Sequence, residues 1–454
     1  MIKAVRGTRD LLPPETALWN FVEEKAREVF RAYNFQEIRT PIFESTELFA
    51  RGVGEETDIV AKEMYTWEDP PQLFAQYRQF YLDITARARE GILPAGPYVP
   101  LSSLGGSQSL TLRPENTAGV VRAYIEHDLW QRGLSKLYYI GPQFRRERPQ
   151  KGRYRQFYQI GAEVIGPPSS GSQRPLRDAE VLEMLDTLLR RLGIADFILH
   201  LNSVGDPQDR VAYNEALRKA LEPVVANICT DCQRRAVTNP LRVFDCKVPA
   251  DQPIIQSLPV ISDYLGSESK EHFDNVQTLL RKAKVPFEVD RRLVRGLDYY
   301  TRTAFEFTHG GLGAQNAILG GGRYDGLAEL LGSKEAAPGI GFAMGEDRLI
   351  LALQGRASEV QAAPDVYIAP VGVGMNRAAL VLAKELRGQK LAVELGDRSY
   401  KLGKLLERAS KAGARYALIV REGGPGALEY VLKNLSTGEQ VSVPRGGLAQ
   451  RIRE

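Results

Sequence analysis

The residues best suited to chemistry lie in Lys136–Gly166, where alternating apolar and polar residues predict two β-strands joined by a basic loop. Successive side chains of a strand point to opposite faces, so Phe157, Gln159, Gly161 and Glu163 share one face of the second strand. The other face is apolar and is expected in the core. An amide and a carboxylate in an otherwise buried strand need polar partners, which favours the floor of a polar pocket.

The predicted loop is rich in guanidinium groups, which match phosphate oxygens through paired hydrogen bonds. Its basic residues are Arg145, Arg146, Arg148, Lys151, Arg153 and Arg155. These residues alone leave an alternative open, namely a basic hairpin tip that keeps the protein soluble or touches RNA backbone non-specifically.

The spacing of these residues favours phosphate chemistry. Phe-Arg-x-Glu at 144–147, followed by Arg153-x-x-x-Phe157, resembles the second signature motif of class II aminoacyl-tRNA synthetases. Arg295–Tyr300 (RGLDYY) matches a motif peculiar to histidyl-tRNA synthetases within that class. Gly339–Gly345, followed by Arg348, resembles the third class II motif, and its small residues would leave a slot for a flat nucleobase. The chain therefore resembles the histidyl-tRNA synthetase family.

The resemblance implies an α+β fold, with an antiparallel-sheet catalytic domain of class II type and a C-terminal α/β anticodon-binding domain. It implies activation of L-histidine by ATP, assisted by Mg²⁺, and transfer of histidine to tRNA(His). The implied histidine-binding residues are Glu115, Thr117, Gln159, Glu163, Tyr299, Tyr300 and Tyr324. The implied ATP-binding residues are Arg145, Glu147, Arg153, Phe157 and Arg348. The implied catalytic pair at the α-phosphate is Arg145 and Arg295.

Two other functions remain open for such a chain. One is a non-catalytic regulatory paralogue that partners ATP phosphoribosyltransferase in histidine biosynthesis. Such subunits typically lack the intact arginine motif and the C-terminal domain, and this chain has both. The other is an RNA-binding or histidine-sensing protein that has lost turnover.

Composition limits the class of protein. The chain has 454 residues, 43% hydrophobic and 26% charged, which is typical of a globular protein with more than one domain. A net charge of +4 permits an RNA partner without requiring one. The sequence has no apolar signal core and no membrane-spanning run, and its 3 cysteines imply no disulfide framework, so we expect a cytoplasmic protein. Pro41 falls in the first class II motif, which by resemblance lies at a homodimer interface.

The predicted catalytic domain covers residues 1–355 and the anticodon-binding domain covers 364–454. A helical module is expected at about 203–284, reaching by resemblance toward the tRNA acceptor arm. An insertion at about 69–107, unusual for the family, separates the arms of a predicted hairpin, Met64–Glu68 and Leu110–Arg113. We favour a surface decoration for this insertion, with a lid over the site as the alternative.

Three local predictions can be compared with the structure. The helix Ala118–Glu126 is expected to be capped by Asn116 or Thr117, with Glu115 beside its positive end. Gly320–Gly326 is predicted to be a glycine-rich turn. Cys229-x-x-Cys232 with Cys246 invites zinc, but three thiols without a clear fourth ligand favour reduced structural cysteines and no metal site.

Overall fold

The computed structural model describes residues 2–55, 57–69, 87, 90, 108–150, 152–313, 316–355, 363–424 and 427–454. The chain forms two compact units, Met1–Ala357 and Ser358–Glu454. Most of the predicted insertion, and with it the lid hypothesis, lies outside the described residues. Among the helices that are described, none combines the length and the apolar character that crossing a membrane requires.

The first unit is built from strands and helices that alternate irregularly along the chain. Its described strands are β1 Gln36–Glu37, β2 Phe43–Ser45, β3 Tyr65–Asp69, β4 Gln108–Leu112, β5 Ser135–Phe144, β6 Gln156–Ile165, β7 Phe197–Ser203, β8 Glu288–Val289, β9 Thr301–His309, β10 Ala317–Arg323 and β11 Gly339–Gly345. Its described α-helices are α1 Glu15–Ala32, α2 Thr46–Val53, α3 Thr117–Glu126, α4 Pro175–Arg191, α5 Pro207–Leu221, α6 Thr230–Thr238, α7 Gln252–Ser257, α8 Ser267–Lys282, α9 Leu327–Leu330 and α10 Glu346–Ala352.

The described strands of this unit form an eight-stranded sheet in the order β1-β5-β6-β11-β10-β9-β7-β8. The outer pairs β1–β5 and β7–β8 are parallel, and the pairs between β5 and β7 are antiparallel. A smaller antiparallel sheet has the order β2-β4-β3, which confirms the predicted pairing across the insertion. The antiparallel sheet and its helices confirm the α+β class.

Helices α1, α4 and α8 cover one face of the large sheet. The apolar side of α1 is buried because Val22, Val29 and Phe30 recur at helical spacing, and the Phe30 ring stacks on Tyr138 of β5 with 4.6 Å between centroids. Helix α4 packs against α8, and a hydrogen bond of 2.8 Å joins Asp178 to His272 between them. The opposite face of the sheet is therefore the one available for a site.

A buried charge network joins this helical layer to the sheet. Asp178 of α4 accepts hydrogen bonds from Arg323 of β10 and, at 2.5 Å, from Thr303 of β9. It also pairs with His272. The side chains of Asp178 and Arg323 are both fully buried. Because a buried charge requires a partner, the pair constrains how α4 sits on the strands. The Arg323 guanidinium and the other bonds hold the pKa of Asp178 at about 2 despite its burial.

Helices α5, α6 and α7 form a separate module with its own core, which includes Tyr213, Leu217, Ile228 and Val243. Helix α8 follows this module but packs on α4, so it belongs to the helical layer over the sheet. The segment between α6 and α7 contacts the Arg295–Tyr300 motif. Asn239 of this segment donates a 3.0 Å hydrogen bond to Asp298.

The second unit is a five-stranded sheet in the order β13-β12-β14-β15-β16, with helices α11, α12 and α13. Their bounds are β12 Val366–Pro370, β13 Val393–Leu395, β14 Tyr416–Gly424, β15 Ala427–Asn434, β16 Gln440–Ser442, α11 Met375–Gly388, α12 Leu402–Lys411 and α13 Leu448–Arg453. Strands β13, β12 and β14 are parallel, as α/β alternation predicts, whereas β15 and β16 add antiparallel strands at one edge.

Candidate active site

The floor of the candidate site is the face of the sheet that lies opposite α1, α4 and α8. In the register of β6, β11 and β10, Glu163 pairs with Gly341, and Gly341 pairs with Gly322. The neighbouring row joins Gly161 to Ala343 and then to Gly320. Small residues therefore line this face, and the few large side chains on it have room to lie across adjacent strands.

Glu163 is the most buried acid of this face, with no exposed surface. Its Oε1 accepts a 2.7 Å hydrogen bond from Thr117 Oγ1, and its Oε2 accepts a 2.6 Å hydrogen bond from Tyr324 OH. Burial raises the pKa of Glu163 to about 8. Three residues predicted to bind histidine are therefore joined by direct hydrogen bonds.

Glu115 lies beside the start of helix α3, as predicted, but its side chain supplies the cap that was predicted for Asn116 or Thr117. Its carboxylate accepts hydrogen bonds from the backbone N–H groups of Thr117, at 2.7 Å, and Ala118, at 3.0 Å. Asn116 occupies the N-cap position, but its side-chain oxygen accepts a hydrogen bond from Thr40 instead. Burial raises the pKa of Glu115, so this carboxylate would gain from a cationic ligand beside it.

Three buried tyrosines form the wall next to these acids. The ring centroids of Tyr299 and Tyr300 are 4.7 Å apart, and those of Tyr299 and Tyr324 are 5.8 Å apart. Gln159 lies on the same strand face as Glu163 and is also buried, and its Oε1 has no hydrogen-bond partner among the residues described. An aromatic wall with an available amide oxygen and a buried acid suits a small polar ligand with hydrogen-bond donors.

A cavity of about 280 Å³ adjoins this tyrosine-lined region and shares Gln159 with it. Arg145 is oriented by a 2.9 Å bond from its Nε to the carbonyl oxygen of Pro114, and its guanidinium lies 5.3 Å from the centroid of the Phe157 ring. The cavity is lined by arginines, acids and small residues, among them Arg145, Glu147, Arg153, Phe157, Gln159, Arg295, Glu306, Gly320, Ala343 and Arg348. Clustered guanidinium groups favour a polyanion such as a triphosphate.

Arg295 and Arg153 are held at the cavity by carboxylates. Arg295 Nη1 lies 2.5 Å from Glu306 Oε2, and Arg153 Nη1 lies 3.0 Å from Glu147 Oε2. These ion pairs orient the guanidinium groups without neutralising all of their donors, because each guanidinium carries five N–H groups. The structure thus places all the predicted ATP-binding residues around one cavity.

The prediction that Gly320–Gly326 forms a turn is wrong for its first half. Residues up to Arg323 belong to β10, in the middle of the large sheet, and the chain turns only after Tyr324. The physical reason is that this segment pairs with β11 on one side and β9 on the other, and glycine is needed there because a Cβ at Gly320 would lie 2.5 Å from the Arg295 guanidinium. Glycine at this position lets Arg295 lie directly over the strand.

Glu306 is a site residue that the sequence reasoning missed. It lies on β9 between Phe305 and Phe307, both fully buried, and its side chain lines the arginine-rich cavity. An acid between two apolar residues of a buried strand is the same signal that singled out Glu163. Glu147 and Glu306 are the described glutamates of this cavity and supply the oxygen donors that a divalent cation prefers.

Comparisons of the sequence with family profiles and with known proteins all point to the same family. The sequence profile described as "Histidyl-tRNA synthetase" matches residues 103–349, and that described as "Anticodon binding domain" matches 365–454. The chain is 60% identical to "Histidine--tRNA ligase" of Koribacter versatilis, over 100% of this chain and 96% of the relative. It is 54% identical to "Histidine--tRNA ligase" of Solibacter usitatus, over 100% of this chain and 99% of the relative.

A solved structure agrees with these relatives. The structure of apo histidyl-tRNA synthetase of S. aureus matches with a TM-score of 0.74 and 34% identity, covering 100% of each chain. The antiparallel sheet, the arginine-lined cavity and the matched profiles therefore identify this chain as a member of the histidyl-tRNA synthetase family.

Proposed function

We propose that this protein is a histidine–tRNA ligase, which activates L-histidine with ATP and transfers it to the 3′ end of tRNA(His). The observation that carries the proposal is the position of Glu163, which is buried, hydrogen-bonded to Thr117 and Tyr324, and on the same strand face as Gln159, which lines the arginine-rich cavity. Relatives that span the whole chain at 60% and 54% identity carry this name.

The amino acid would bind in the tyrosine-lined region. Glu163 and Gln159 offer acceptors for the imidazole N–H groups, and Glu115 with Thr117 lies where an α-ammonium group would be held. Tyr299, Tyr300 and Tyr324 would pack against the imidazole ring. A site built to hydrogen-bond a polar side chain rejects apolar analogues strongly, because they would leave Glu163 and Gln159 without partners.

The first reaction joins the histidine carboxylate to the α-phosphorus of ATP and breaks the bond to pyrophosphate. Negative charge builds up on the non-bridging oxygens of the α-phosphate, and fixed cations there lower the barrier. Arg145 and Arg295 would supply them, oriented by Pro114 and Glu306. Arg153 and Arg348 would bind the outer phosphates, and the adenine would stack between Phe157 and Arg348 with Glu147 at its edge.

Magnesium fits this cavity as a companion of ATP. Glu306, which lines the cavity beside Arg295, would offer a carboxylate oxygen to a divalent cation that neutralises charge on the pyrophosphate side. The second reaction moves the histidyl group from the adenylate to a ribose hydroxyl of tRNA, forming an ester and releasing AMP and the hydroxyl proton. This transfer needs no side-chain nucleophile.

The proposal extends to partners and place of action. Ile42 and Phe43 follow Pro41 along the chain, and the Trp67 ring lies 6.0 Å from that of Phe43 in the small sheet. These three apolar side chains are exposed and would be buried if this region forms a homodimer interface. The second unit would bind the anticodon of tRNA(His). Because the proposed reaction charges tRNA for protein synthesis, the enzyme would act in the cytoplasm. The regulatory-paralogue alternative is not favoured by the full-length relatives.

Pyrophosphate exchange into ATP, measured with each proteinogenic amino acid in turn, tests the proposal. We expect exchange with histidine alone. Glu163→Gln should reduce exchange by about 5- to 100-fold, since an NH2 group replaces a hydrogen-bond acceptor and leaves a buried donor unsatisfied, which costs about 1–3 kcal/mol. The matched control is Glu271→Gln, an exposed acid of α8, which should exchange like the wild type. Folded protein that exchanges with no amino acid would contradict the proposal.

A further inference from the structure

The helical module brings together four side chains that the reading of the sequence did not unite. Cys229, Cys232 and Cys246 lie beside Asp251, and one donor atom of each lies within 4.8 Å of every other. Cys232 and Cys246 are buried, Asp251 is 3% exposed, and Cys229 is partly exposed. Asp251 offers the fourth donor atom, which the cysteine spacing alone did not reveal.

The local structure explains why the four residues converge. Cys229 precedes the first turn of α6 and Cys232 lies in it, so their side chains share one side of the helix. Cys246 follows a 3-10 helix, Pro240–Asp245, and Asp251 precedes α7. Each donor therefore sits at the end of a short element, where its position depends on the fold of the whole module.

Two of the distances between these donor atoms are close to those of a tetrahedral metal centre. A Zn–S bond of about 2.3 Å in tetrahedral geometry separates neighbouring sulfurs by about 3.8 Å. The sulfurs of Cys229 and Cys246 are 3.9 Å apart, and Cys246 Sγ lies 3.2 Å from Asp251 Oδ2. A disulfide between Cys229 and Cys246 would require their sulfurs to move to about 2.05 Å.

We propose that Cys229, Cys232, Cys246 and Asp251 form a structural zinc site. Three thiolates and one carboxylate in a tetrahedral arrangement select Zn²⁺ over the harder Mg²⁺ and Ca²⁺, which prefer oxygen donors. The four protein ligands leave no open position, so the metal would be structural. None of the four residues lines the arginine-rich cavity.

The site has a structural consequence for the segment that carries Arg295. The chain between Cys232 and Cys246 contains Asn239, which bonds Asp298, and Arg242, which donates to the carbonyl oxygen of Gly296. A single metal ion bound to both ends of this stretch would hold it in place, and the stretch would in turn support the Arg295–Tyr300 motif. This part of the inference rests on the proposed function, whereas metal binding itself does not.

Metal analysis of the full-length protein tests the site. Protein purified under reducing conditions without chelator should contain about one zinc per chain by elemental analysis. After metal removal, titration with Co²⁺ should give the visible absorption of tetrahedral cobalt and a thiolate charge-transfer band. Absence of zinc, together with no thiolate–cobalt band, would overturn the proposal.

Variants identify the ligands without relying on activity. Cys232→Ser should abolish zinc retention, and Asp251→Asn should weaken cobalt binding while keeping the thiolate band. If Cys232→Ser fails to fold, thiol titration of the wild type decides instead, since bound zinc should protect three thiols from modification until a chelator is added. Three freely reactive thiols, or a disulfide between Cys229 and Cys246 in untreated protein, would refute the site. If the wild-type protein binds zinc but shows no histidine-dependent pyrophosphate exchange, the result would count against the proposed function and not against the zinc site.

Discussion

Glu163 lies so close above Gly341 that a Cβ at position 341 would stand 1.6 Å from Glu163 Oε2. The two residues face each other on neighbouring strands β6 and β11. The carboxylate reaches both Thr117 and Tyr324 only because residue 341 has no side chain. Glycine at this position is therefore part of the binding site, although it contributes no functional group.

Gly341→Ala should displace Glu163 and disrupt its two hydrogen bonds. We expect the affinity for histidine to fall about 10-fold or more, since a buried polar group left without its hydrogen-bond partner costs about 1–3 kcal/mol. Overpacking should also lower the free energy of unfolding by about 1–3 kcal/mol. Isothermal titration with histidine measures the first effect, and denaturant unfolding measures the second. Gly310→Ala, where nothing lies within 4 Å of an added Cβ, is the control; equal affinities in both variants would contradict this role.

Arg295→Ala should separate binding from catalysis. The guanidinium is expected to contact the α-phosphate, so exchange of pyrophosphate should fall about 100- to 1000-fold, as for removal of one charge-stabilising donor. Histidine affinity should stay within a few-fold, because the amino-acid contacts come from other residues. Arg190→Ala, which removes an exposed guanidinium of α4, should leave both quantities unchanged. Unchanged exchange in Arg295→Ala would refute the assigned role.

Arg323→Leu should destabilise the first unit strongly. It leaves Asp178 fully buried without its principal cation, and breaking a buried pair in this way costs about 3–5 kcal/mol. Adding Asp178→Asn to the same protein should recover part of the loss, because the buried charge is then removed as well. Chemical denaturation followed by circular dichroism measures these changes. Arg451→Ala, which breaks an exposed pair with Glu454, should cost less than about 1 kcal/mol.

Glu346→Gln should change how stability depends on pH. Both carboxylate oxygens of Glu346 are buried without a hydrogen-bond partner among the described residues, and burial raises its pKa from 4.5 to about 9. Between these values the unfolded chain releases the proton and the folded protein keeps it, so the free energy of unfolding falls as pH rises. In the variant, which has no carboxyl group at position 346, the free energy of unfolding does not fall for this reason.

The stability of Glu346→Gln relative to the wild type should therefore increase from about pH 5 to pH 9, by at most about 1.4 kcal/mol per pH unit. Glu163 and Glu115, whose pKa values are also raised, are present in both proteins and cancel in the comparison. Denaturation midpoints at a series of pH values measure the difference. A difference that does not vary with pH would show that Glu346 is already ionised in the folded protein.

The local patterns of the sequence were sufficient for much of the architecture. The period of two in β6 correctly separated the core face from the face with Gln159 and Glu163, and the predicted helix Ala118–Glu126 is α3, which begins one residue earlier. The paired arms β3 and β4 were also recognised across the insertion. These features depend on residues that are neighbours along the chain, so alternation and helical spacing reveal them.

Tertiary structure alone decided the features that depend on distant segments. The run of glycines at 320–322 has the composition of a turn, but strands on both sides and the overlying Arg295 make it a central strand. Asn116 does not cap α3 with its side chain, because Thr40, 76 positions earlier, donates its hydroxyl to the Asn116 side-chain oxygen. Asp251 completes a cluster with Cys229 although 22 positions separate them, since packing of short helices brings them together. Spacing along the chain determines which residues share a face, whereas packing determines which faces meet.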